Sequence, residues 1–178
     1  TAATQRIGVY MQGMGFNALG STSSGFAWSM GRPDNGVTRE MVLAHLRAIV
    51  AATDLPVSAD LEKGFGDTPE FVAETIRRAA ETGLAGGSIE DATGDPSRPL
   101  FDFGHAVERV AAAVEAARSL SFPFVLTARS ENFFRGNPDL DDTIRRLQAF
   151  EKAGADVLFA PGLPDLASVR AVCSAVSK

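Results

Sequence analysis

The chain has 178 residues, 45% hydrophobic and 22% charged, with 17 Lys and Arg against 22 Asp and Glu and a net charge of −5. This composition is typical of one globular domain with a sizeable core, spanning 1–178, and its lack of basic blocks argues against nucleic acid as a partner. The apolar runs are far shorter than the roughly 18 residues that a membrane span needs, so no membrane contact is expected. The one cysteine, Cys173, excludes an internal disulfide. The default expectation is a cytoplasmic protein.

Helix and strand patterns alternate along the chain. In order, we predict a weak helix at 7–14, a strand at 15–23, a helix at 38–52, a strand at 55–59, a helix at 68–81, a strand at 85–90, a helix at 105–120, a strand at 122–129, a helix that begins after Asp139, a strand at 155–160 and a helix at 165–176. Thr38, Thr68 and Asp139 are typical residues for capping a helix start. The strict alternation predicts parallel strands. A closed (β/α)8 barrel needs eight strands, so the five strands fit either an open sheet or part of a barrel.

Polar side chains follow four successive predicted strands. They are the hydroxyls and glycine of residues 23–25, then Asp60 and Glu62, then Glu90, then Arg129. Because active sites of parallel α/β folds gather at the carboxyl ends of strands, we expect these groups to converge. Clustered carboxylates need a proton or a cation among them, and their hard oxygen ligands suit Mg²⁺. Arg129 can then hold the carboxylate of an anionic substrate.

Each of these acids also has a simpler interpretation. A single acid at a strand end is usually a helix cap or a solvated loop residue, and it is their occurrence at successive strand ends that favours a site. Asp67, Asp91 and Glu131 are interpreted as structural residues. His45 and His105 fall in predicted helices and are interpreted as surface or structural residues.

Five stretches, in this order, resemble the isocitrate lyase / phosphoenolpyruvate mutase superfamily, and in particular its smaller bacterial members. They are GFNALGSTSSGFAWSMGRPD, LPVSADLEKGFGD, AGGSIEDATGD, FVLTARSENF and AGADVLFAPG. The resemblance implies a (β/α)8 TIM barrel of which about strands 2 to 6 lie in this chain, so that residues 1–178 alone are not expected to fold stably. It also implies a homo-oligomer, dimer or tetramer, that makes or breaks C–C or P–C bonds of 2-oxo acids beside Mg²⁺.

The resemblance assigns substrate-binding roles to one segment near the start of the chain. Ser24, Gly25 and Phe26 resemble the family segment that binds the carboxylate and oxo group of the substrate. Asp34, in the sequence GRPD, resembles an acid at the edge of the site and is predicted to be catalytic.

The resemblance also implies a metal site. Asp60 resembles the second aspartate of an Asp-x-Asp metal pair, Glu90 the acid that holds metal-bound water, and Arg129 the arginine at the anionic end of the substrate. The first aspartate of that pair is Ser58 here, which should weaken Mg²⁺ binding unless Glu62 substitutes. The predicted metal residues are therefore Asp60, Glu62 and Glu90, and the predicted catalytic residues include Glu90 and Arg129.

The loop over 91–103, DATGDPSRPLFDF, departs from the family pattern. It lacks the Lys-Lys/Arg-Cys-Gly-His motif of the lyases and the lysine of the phosphonate mutases. This argues against a true isocitrate or methylisocitrate lyase. The leading hypothesis is a Mg²⁺-dependent lyase or decarboxylase that cleaves a C–C bond in a small 2-oxo dicarboxylate, such as oxaloacetate, through an enolate. The alternatives are a catalytically weak 2-oxo-acid-binding protein and a C–P bond enzyme acting on a phosphonopyruvate-type substrate.

Overall fold

The computed structural model describes residues 10–178, in which parallel strands alternate with helices. The strands are β1 (Leu19–Gly20), β2 (Val57–Asp60), β3 (Gly86–Glu90), β4 (Val125–Arg129) and β5 (Val157–Phe159). The helices are α1 (Ser23–Ser29), α2 (Arg39–Val50), α3 (Pro69–Ala80), α4 (Phe103–Arg118), α5 (Leu140–Ala153) and α6 (Leu166–Ala175). Residues 10–13 are also helical, and the start of the helix predicted at 7–14 lies outside the described residues. No helix within 10–178 is long and apolar enough to cross a bilayer.

The prediction at 15–23 is wrong in its extent. Only Leu19–Gly20 is a strand, and Ser23, predicted to end that strand, begins the unpredicted helix α1. The physical reason is local capping: the hydroxyl of Thr22 accepts a hydrogen bond from the backbone N–H of Gly25 at 3.4 Å. A hydroxyl in this position satisfies one backbone donor of the first turn, which favours a helix start over a longer strand.

The predicted helix starts are confirmed by their capping hydrogen bonds. Thr38 precedes α2, Thr68 precedes α3 and Asp139 precedes α5, and each side chain accepts from a backbone N–H in the first turn of its helix. Each of these bonds satisfies one of the backbone donors that a helix start leaves unpaired, which stabilises the start by about 1 kcal/mol. The capping residues therefore set where each helix begins after its preceding strand.

The sheet is parallel, and its strands lie side by side in chain order, from β1 to β5. A doubly wound sheet reverses its strand order at a switch point, whereas this one does not. Because parallel crossovers are right-handed, an unreversed order places every connecting helix on the same face of the sheet. The architecture is therefore that of part of a (β/α)8 barrel, with one face of the sheet covered by helices.

The strand register places the polar strand-end residues on the face opposite the helices. Glu90 lies beside Arg129, and Arg129 lies beside Phe159 in the next strand. In β3, Ser88 is two residues before Glu90 and therefore on the same face, and Asp60 of β2 pairs with Ser88. Because side chains alternate between the two faces of a sheet, these residues all point to the concave side, where a barrel has its interior.

The helix-covered face of the sheet carries the core. Two clusters of buried apolar side chains lie there, one centred on β2 and β3 and the other on the helices α4 and α5. The concave face is much less covered, since Val125 is 47% exposed, Val157 42% and Phe159 46%. Large apolar side chains in a barrel interior are normally packed in layers against those of other strands. These side chains are exposed here because five strands form only part of a barrel wall and do not enclose its interior.

A substitution at Gly86 would test how closely β3 and β4 are packed. A Cβ atom at this position in β3 would lie 2.5 Å from the carbonyl oxygen of Val125 in the neighbouring strand. We therefore expect Gly86→Ala to lower the free energy of unfolding by about 1–3 kcal/mol, because the strands must separate to admit the methyl group. Denaturant unfolding followed by circular dichroism would measure the change.

Gly104→Ala is the matched control, because a Cβ atom there meets nothing within 4 Å and the residue lies in α4. Helix propensity then predicts unchanged stability or a gain of up to about 1 kcal/mol. Equal effects of the two substitutions would show that β3 and β4 are not packed as described.

Candidate active site

Arg129, the last residue of β4, is the centre of the polar cluster. Its guanidinium donates two hydrogen bonds to Oε1 of Glu131, at 2.8 and 3.1 Å. It also lies 3.3 Å from Oδ1 of Asp60 and 3.4 Å from Oε2 of Glu90. Three successive strand ends therefore meet at one arginine, as the sequence predicts for a shared edge of a parallel sheet.

A second arginine, Arg135, completes a ring of charges. Its Nη2 donates to Oε1 of Glu90 at 3.1 Å, and its Nε lies 3.4 Å from Oε2 of Glu131. Each acid therefore turns one oxygen to Arg129 and the other to Arg135. Glu90 is 5% exposed and Glu131 is fully buried. Because a buried carboxylate without a partner is costly, the two arginines are what permit these acids to be buried.

Asp60 is held in place by the short segment that follows β1. Its Oδ2 accepts from the hydroxyl of Ser23 at 2.9 Å and from the backbone N–H of Ser23 at 3.2 Å. The hydroxyl of Ser21 accepts from the backbone N–H of Asp60 at 3.0 Å. These bonds fix one oxygen of Asp60 towards α1 and leave the other facing Arg129.

Glu62, two residues after Asp60, has a strained backbone and a buried side chain. Its backbone has a φ of 52°, in the left-handed region, and its N–H donates to Oδ1 of Asp60 at 3.1 Å. The side chain is 5% exposed, and its Oε1 has no hydrogen-bond partner among the described residues. Burial, together with the charges of Asp60 and Asp34, raises the pKa of Glu62 to about 7. Asp34 is half-buried, and its charge is near enough to contribute to the raised pKa of Glu62.

Glu90 is the second carboxyl group of this cluster with a pKa near neutrality. Burial, and then the charge of Glu131, raises the pKa of Glu90 to about 8, although Arg129 and Arg135 oppose the shift. Groups with pKa values near the working pH are suited to donate and accept protons. Glu62 and Glu90 are therefore the carboxyl groups of this cluster best suited to proton transfer.

The loop between Glu62 and α3 is held by a buried arginine, Arg109 of α4. Its guanidinium donates to four backbone carbonyl groups, those of Lys63, Gly66, Asp67 and Glu90. These contacts tie the loop after β2 to the end of β3. The position of Glu62 relative to Glu90 therefore depends on a residue that contacts neither carboxylate.

The segment predicted to bind substrate is divided by the structure. Ser24 and Gly25 lie in the first turn of α1, beside the Ser23 that binds Asp60. The ring of Phe26 instead stacks on His45 of α2 at 4.1 Å and packs against the core. The Phe26 ring is therefore taken up by packing, and Ser24 and Gly25 bond to Thr22, so Ser23 is the residue of this segment that contacts the cluster.

Asp91 and the loop after it are structural. Asp91 is 1% exposed, accepts from the backbone N–H of Glu131 at 2.8 Å and pairs with Arg146 of α5 at 3.1 Å. The loop closes on itself through Thr93, whose N–H donates to the carbonyl of Pro99 at 3.0 Å. Cys173 lies exposed in α6, well apart in the sheet order from β3 and its loop. The loop therefore offers no thiol to the site.

The predicted metal residues Asp60, Glu62 and Glu90 lie around this cluster, but within residues 10–178 no three acids, histidines or cysteines stand ready to ligate an ion. Mg²⁺ normally takes only one or two protein carboxylates and fills its remaining positions with water and substrate oxygens. The donor set is compatible with this preference, since Glu62 has a buried carboxylate oxygen without a partner among the described residues and its backbone N–H binds Asp60. Asp60 and Glu62 would hold the ion directly, with Glu90 acting through water.

Two residues of the cluster were not predicted as functional: Glu131, a buried counter-charge, and Arg135. The hydroxyl of Ser23 was expected among the converging groups, but not as the partner of Asp60. The segment ARSENFFR contains Arg129, Glu131 and Arg135, with the outer two six residues apart. This spacing does not place the two arginines on one face of a helix or a strand, because residues 132–136 form a turn. Only the path of the turn brings Arg135 back to Glu90.

The family to which the chain belongs follows from direct comparison. A family model described as phosphoenolpyruvate phosphomutase matches residues 2–178, so the chain belongs to that family, and the resemblance to the isocitrate lyase / phosphoenolpyruvate mutase superfamily is confirmed. It is 34% identical over 173 residues to 2-methylisocitrate lyase of Escherichia coli K12, covering 93% of this chain and 57% of that enzyme. The chain thus spans little more than half the length of that curated relative.

Two solved structures extend the comparison. A Burkholderia cenocepacia J2315 protein, assigned provisionally as a lyase/mutase, matches with a TM-score of 0.91 and 55% identity over 98% of this chain and 61% of its own. A phosphonopyruvate hydrolase, in complex with oxalate and Mg²⁺, matches with a TM-score of 0.84 and 26% identity over 96% of this chain and 60% of its own. Both cover the five-stranded unit and extend beyond it.

The pKa of Glu90 predicts a pH-dependent stability. Above pH 5 the unfolded chain has released this proton, whereas the folded protein keeps it up to about pH 8. Unfolding therefore releases a proton in this range, and rising pH favours the unfolded state by up to about 1.4 kcal/mol per pH unit. We expect Glu90→Gln to reduce that fall in stability between pH 5 and 8, measured by thermal unfolding in the presence of a chelator.

Glu108→Gln is the control, since its carboxyl group is exposed on α4 and should leave the pH dependence unchanged. An identical pH dependence in wild type and Glu90→Gln would mean that Glu90 is already ionised in the folded protein at pH 5.

Proposed function

We propose that the protein is a Mg²⁺-dependent carbon–carbon lyase or decarboxylase that acts on a small 2-oxo dicarboxylate such as oxaloacetate. The observation that carries the proposal is the meeting of Arg129 with Asp60 and Glu90 at the ends of adjacent parallel strands. The bound metal would supply Lewis-acid stabilisation of the charge that develops on the substrate oxygens. The family membership supports a bond-cleaving enzyme of small acids, since the curated relative is a lyase.

The residues of the chain have distinct tasks in this reaction. Arg129 binds the carboxylate of the substrate by giving up its 3.3 Å contact with Asp60. The hydroxyl of Ser23 keeps Asp60 oriented during that exchange. When the bond to C3 breaks, CO₂ or a carbonyl fragment leaves and the electron pair stays on the enolate. Glu90, which holds a proton at neutral pH, can then protonate C3. The buried Glu62 stays with the metal, and the half-buried Asp34 completes the acidic set.

Decarboxylation suits this chain better than the chemistry of the isocitrate lyases. The loop over 91–103 carries neither the cysteine motif nor a lysine, and it is closed by its own hydrogen bonds. Breaking the C3–C4 bond of oxaloacetate releases CO₂ and needs no acid from this loop. The same loop is the observation that favours the second candidate, a 2-oxo-acid-binding protein with little turnover.

A C–P bond enzyme is the third candidate. It is supported by the structural match to phosphonopyruvate hydrolase, which covers 96% of this chain. Phosphonopyruvate differs from oxaloacetate in carrying a phosphonate in place of the second carboxylate, so the same arginine cluster suits either substrate. Turnover of one and not the other separates these two candidates.

The larger assembly is also a proposal. We infer that residues 1–178 form one domain that contains strands 2 to 6 of a (β/α)8 barrel. We also infer that the protein is cytoplasmic and assembles as a homo-oligomer, either a dimer or a tetramer. The support is the unreversed strand order and the exposed apolar side chains Trp28 and Met30, 67% and 51% exposed, at the end of α1. Sedimentation of the purified protein would give the oligomeric state.

Turnover tests the function. With Mg²⁺ present, we expect oxaloacetate to yield pyruvate in a panel of 2-oxo acids, and a chelator to remove the activity. Asp60→Asn should reduce turnover by at least about 100-fold, because it removes a charge from the metal pair. Asp54→Asn, in the connection before β2, is the control and should stay active. Binding of 2-oxo acids without any turnover would instead support the binding protein.

Two substitutions decide which residue completes the acidic pair with Asp60. Ser58 lies one side-chain step back on the same face of β2, whereas Glu62 contacts Asp60 through its backbone and keeps a free carboxylate oxygen. We therefore expect Glu62→Gln to weaken Mg²⁺ binding by about 10-fold or more, and Ser58→Asp to change it little. Calorimetric titration with Mg²⁺ measures both. If Ser58→Asp binds Mg²⁺ more tightly and Glu62→Gln binds it as wild type does, then position 58, and not Glu62, is the partner of Asp60 in the metal pair.

A further inference from the structure

We propose that Arg135 is a second anion-binding residue of this site, and that it selects 2-oxo acids with a negatively charged group at the far end over monocarboxylates such as pyruvate. The inference rests on the proposed function and narrows its substrate class. Arg129 would bind the carboxylate next to the oxo group, and Arg135 the distal carboxylate or phosphonate.

Arg135 projects from a rigid base. The residues 130–132, which follow β4, are each no more than 1% exposed. The amide of Asn132 donates to Asp142 of α5 at 2.9 Å and its oxygen accepts from Ser130 at 2.8 Å. The backbone of Glu131 is bound to Asp91 at 2.8 Å. Because the base is anchored to β3 and α5, the guanidinium is held over Glu90 without a contribution from a mobile loop.

The guanidinium of Arg135 has unused hydrogen-bond donors. An arginine has five N–H groups, and within residues 10–178 the side chain of Arg135 makes one hydrogen bond, to Oε1 of Glu90. Its Nε is buried and has no acceptor in bonding geometry, although Oε2 of Glu131 is 3.4 Å away. The side chain as a whole is 24% exposed, so its remaining N–H groups are the ones that an anionic ligand can reach. A hydrogen bond to a charged group would satisfy donors that are otherwise unused.

Depth in the site distinguishes the two arginines. The side chain of Arg129 is 14% exposed and contacts three acids, whereas that of Arg135 is 24% exposed and contacts two. Glu90 lies between them, with Oε2 towards Arg129 and Oε1 towards Arg135. The two guanidinium groups are therefore close enough for the single carboxyl group of Glu90 to contact both. A short substrate with an anion at each end can reach both groups, whereas pyruvate can occupy only the deeper one.

The simpler role for Arg135 is to neutralise the buried Glu90 and Glu131. That role predicts that removing the charge disturbs the whole cluster and weakens every ligand alike. Anion recognition predicts a loss confined to ligands with a distal charge. Oxalate separates the two roles, because it presents two adjacent carboxylate groups, like the carboxylate and oxo group of the substrate, and has no distal group.

The test compares Arg135→Gln with wild type in the presence of Mg²⁺. We expect kcat/KM for oxaloacetate, or its affinity if no turnover occurs, to fall about 10- to 100-fold, the usual loss for one hydrogen bond to a charged group. The inhibition or dissociation constant of oxalate should change by less than about 2-fold. Arg135→Lys, which keeps the charge and loses the planar fork, should recover part of the oxaloacetate affinity.

Arg77→Gln, with the same change of charge on the exposed side of α3, is the control and should behave as wild type. Equal losses for oxalate and oxaloacetate, or no loss for either, would overturn the inference and leave the proposed function standing. Failure of wild-type protein to bind oxalate with Mg²⁺ would overturn the proposed function and the inference together. Thermal unfolding of each variant shows whether a uniform loss comes from a damaged fold.

Discussion

The ion pairs of Arg129 and Arg135 with Glu90 and Glu131 are the interaction on which the site depends. Both acids are almost wholly buried at the carboxyl edge of the sheet, where an unpaired carboxylate would cost several kcal/mol. Each arginine contacts both acids, so neither acid relies on a single partner. The arrangement holds the two guanidinium groups in a dry, fixed geometry around Glu131 and around Glu90, whose raised pKa of about 8 keeps a proton on it near neutral pH. Fixed charges of this kind are what electrostatic catalysis requires.

The rest of the fold holds this cluster in position. Asp60 is bound by Ser23 at the start of α1, and the loop that carries Glu62 is bound by Arg109 through four backbone carbonyls. Arg109 is fully buried, and burial lowers its pKa to about 10, so it remains charged at neutral pH. A buried guanidinium satisfied by carbonyl oxygens fixes the loop more firmly than apolar packing alone, because each bond has a preferred direction.

The chemistry that this arrangement supports is narrower than the range of the family. Two carboxyl groups, Glu62 and Glu90, have pKa values near neutrality because burial and neighbouring acids disfavour their charged forms. In the proposed reaction Glu90 would transfer the proton and Glu62 would hold the metal, whereas the loop after β3 carries neither a cysteine nor a lysine. A site with its acids on rigid strand ends suits bond cleavage that leaves an enolate. In the proposed function the arginines would select the anions that bind, and Glu90 would transfer the proton.

The sequence by itself determined the alternation of helices and strands, the capping residues and the strand ends at which polar groups gather. These features are local, since a capping hydroxyl or an apolar run acts on its own few residues. It also indicated Asp60, Glu90 and Arg129, because parallel strands must bring their carboxyl ends to one edge. The family motifs pointed to the same positions and to a barrel, which five strands alone left undecided.

The tertiary structure decided what depends on residues distant in the chain. The unreversed strand order, which no local pattern contains, selected a barrel wall over a doubly wound sheet. The turn over 132–136 brought Arg135 to Glu90, 45 positions away, and α4 brought Arg109 to the loop after β2. Glu62 acquired its raised pKa only by burial beside Asp60 and Asp34. Burial and long-range charge are properties of the packed chain, so they could be found only there.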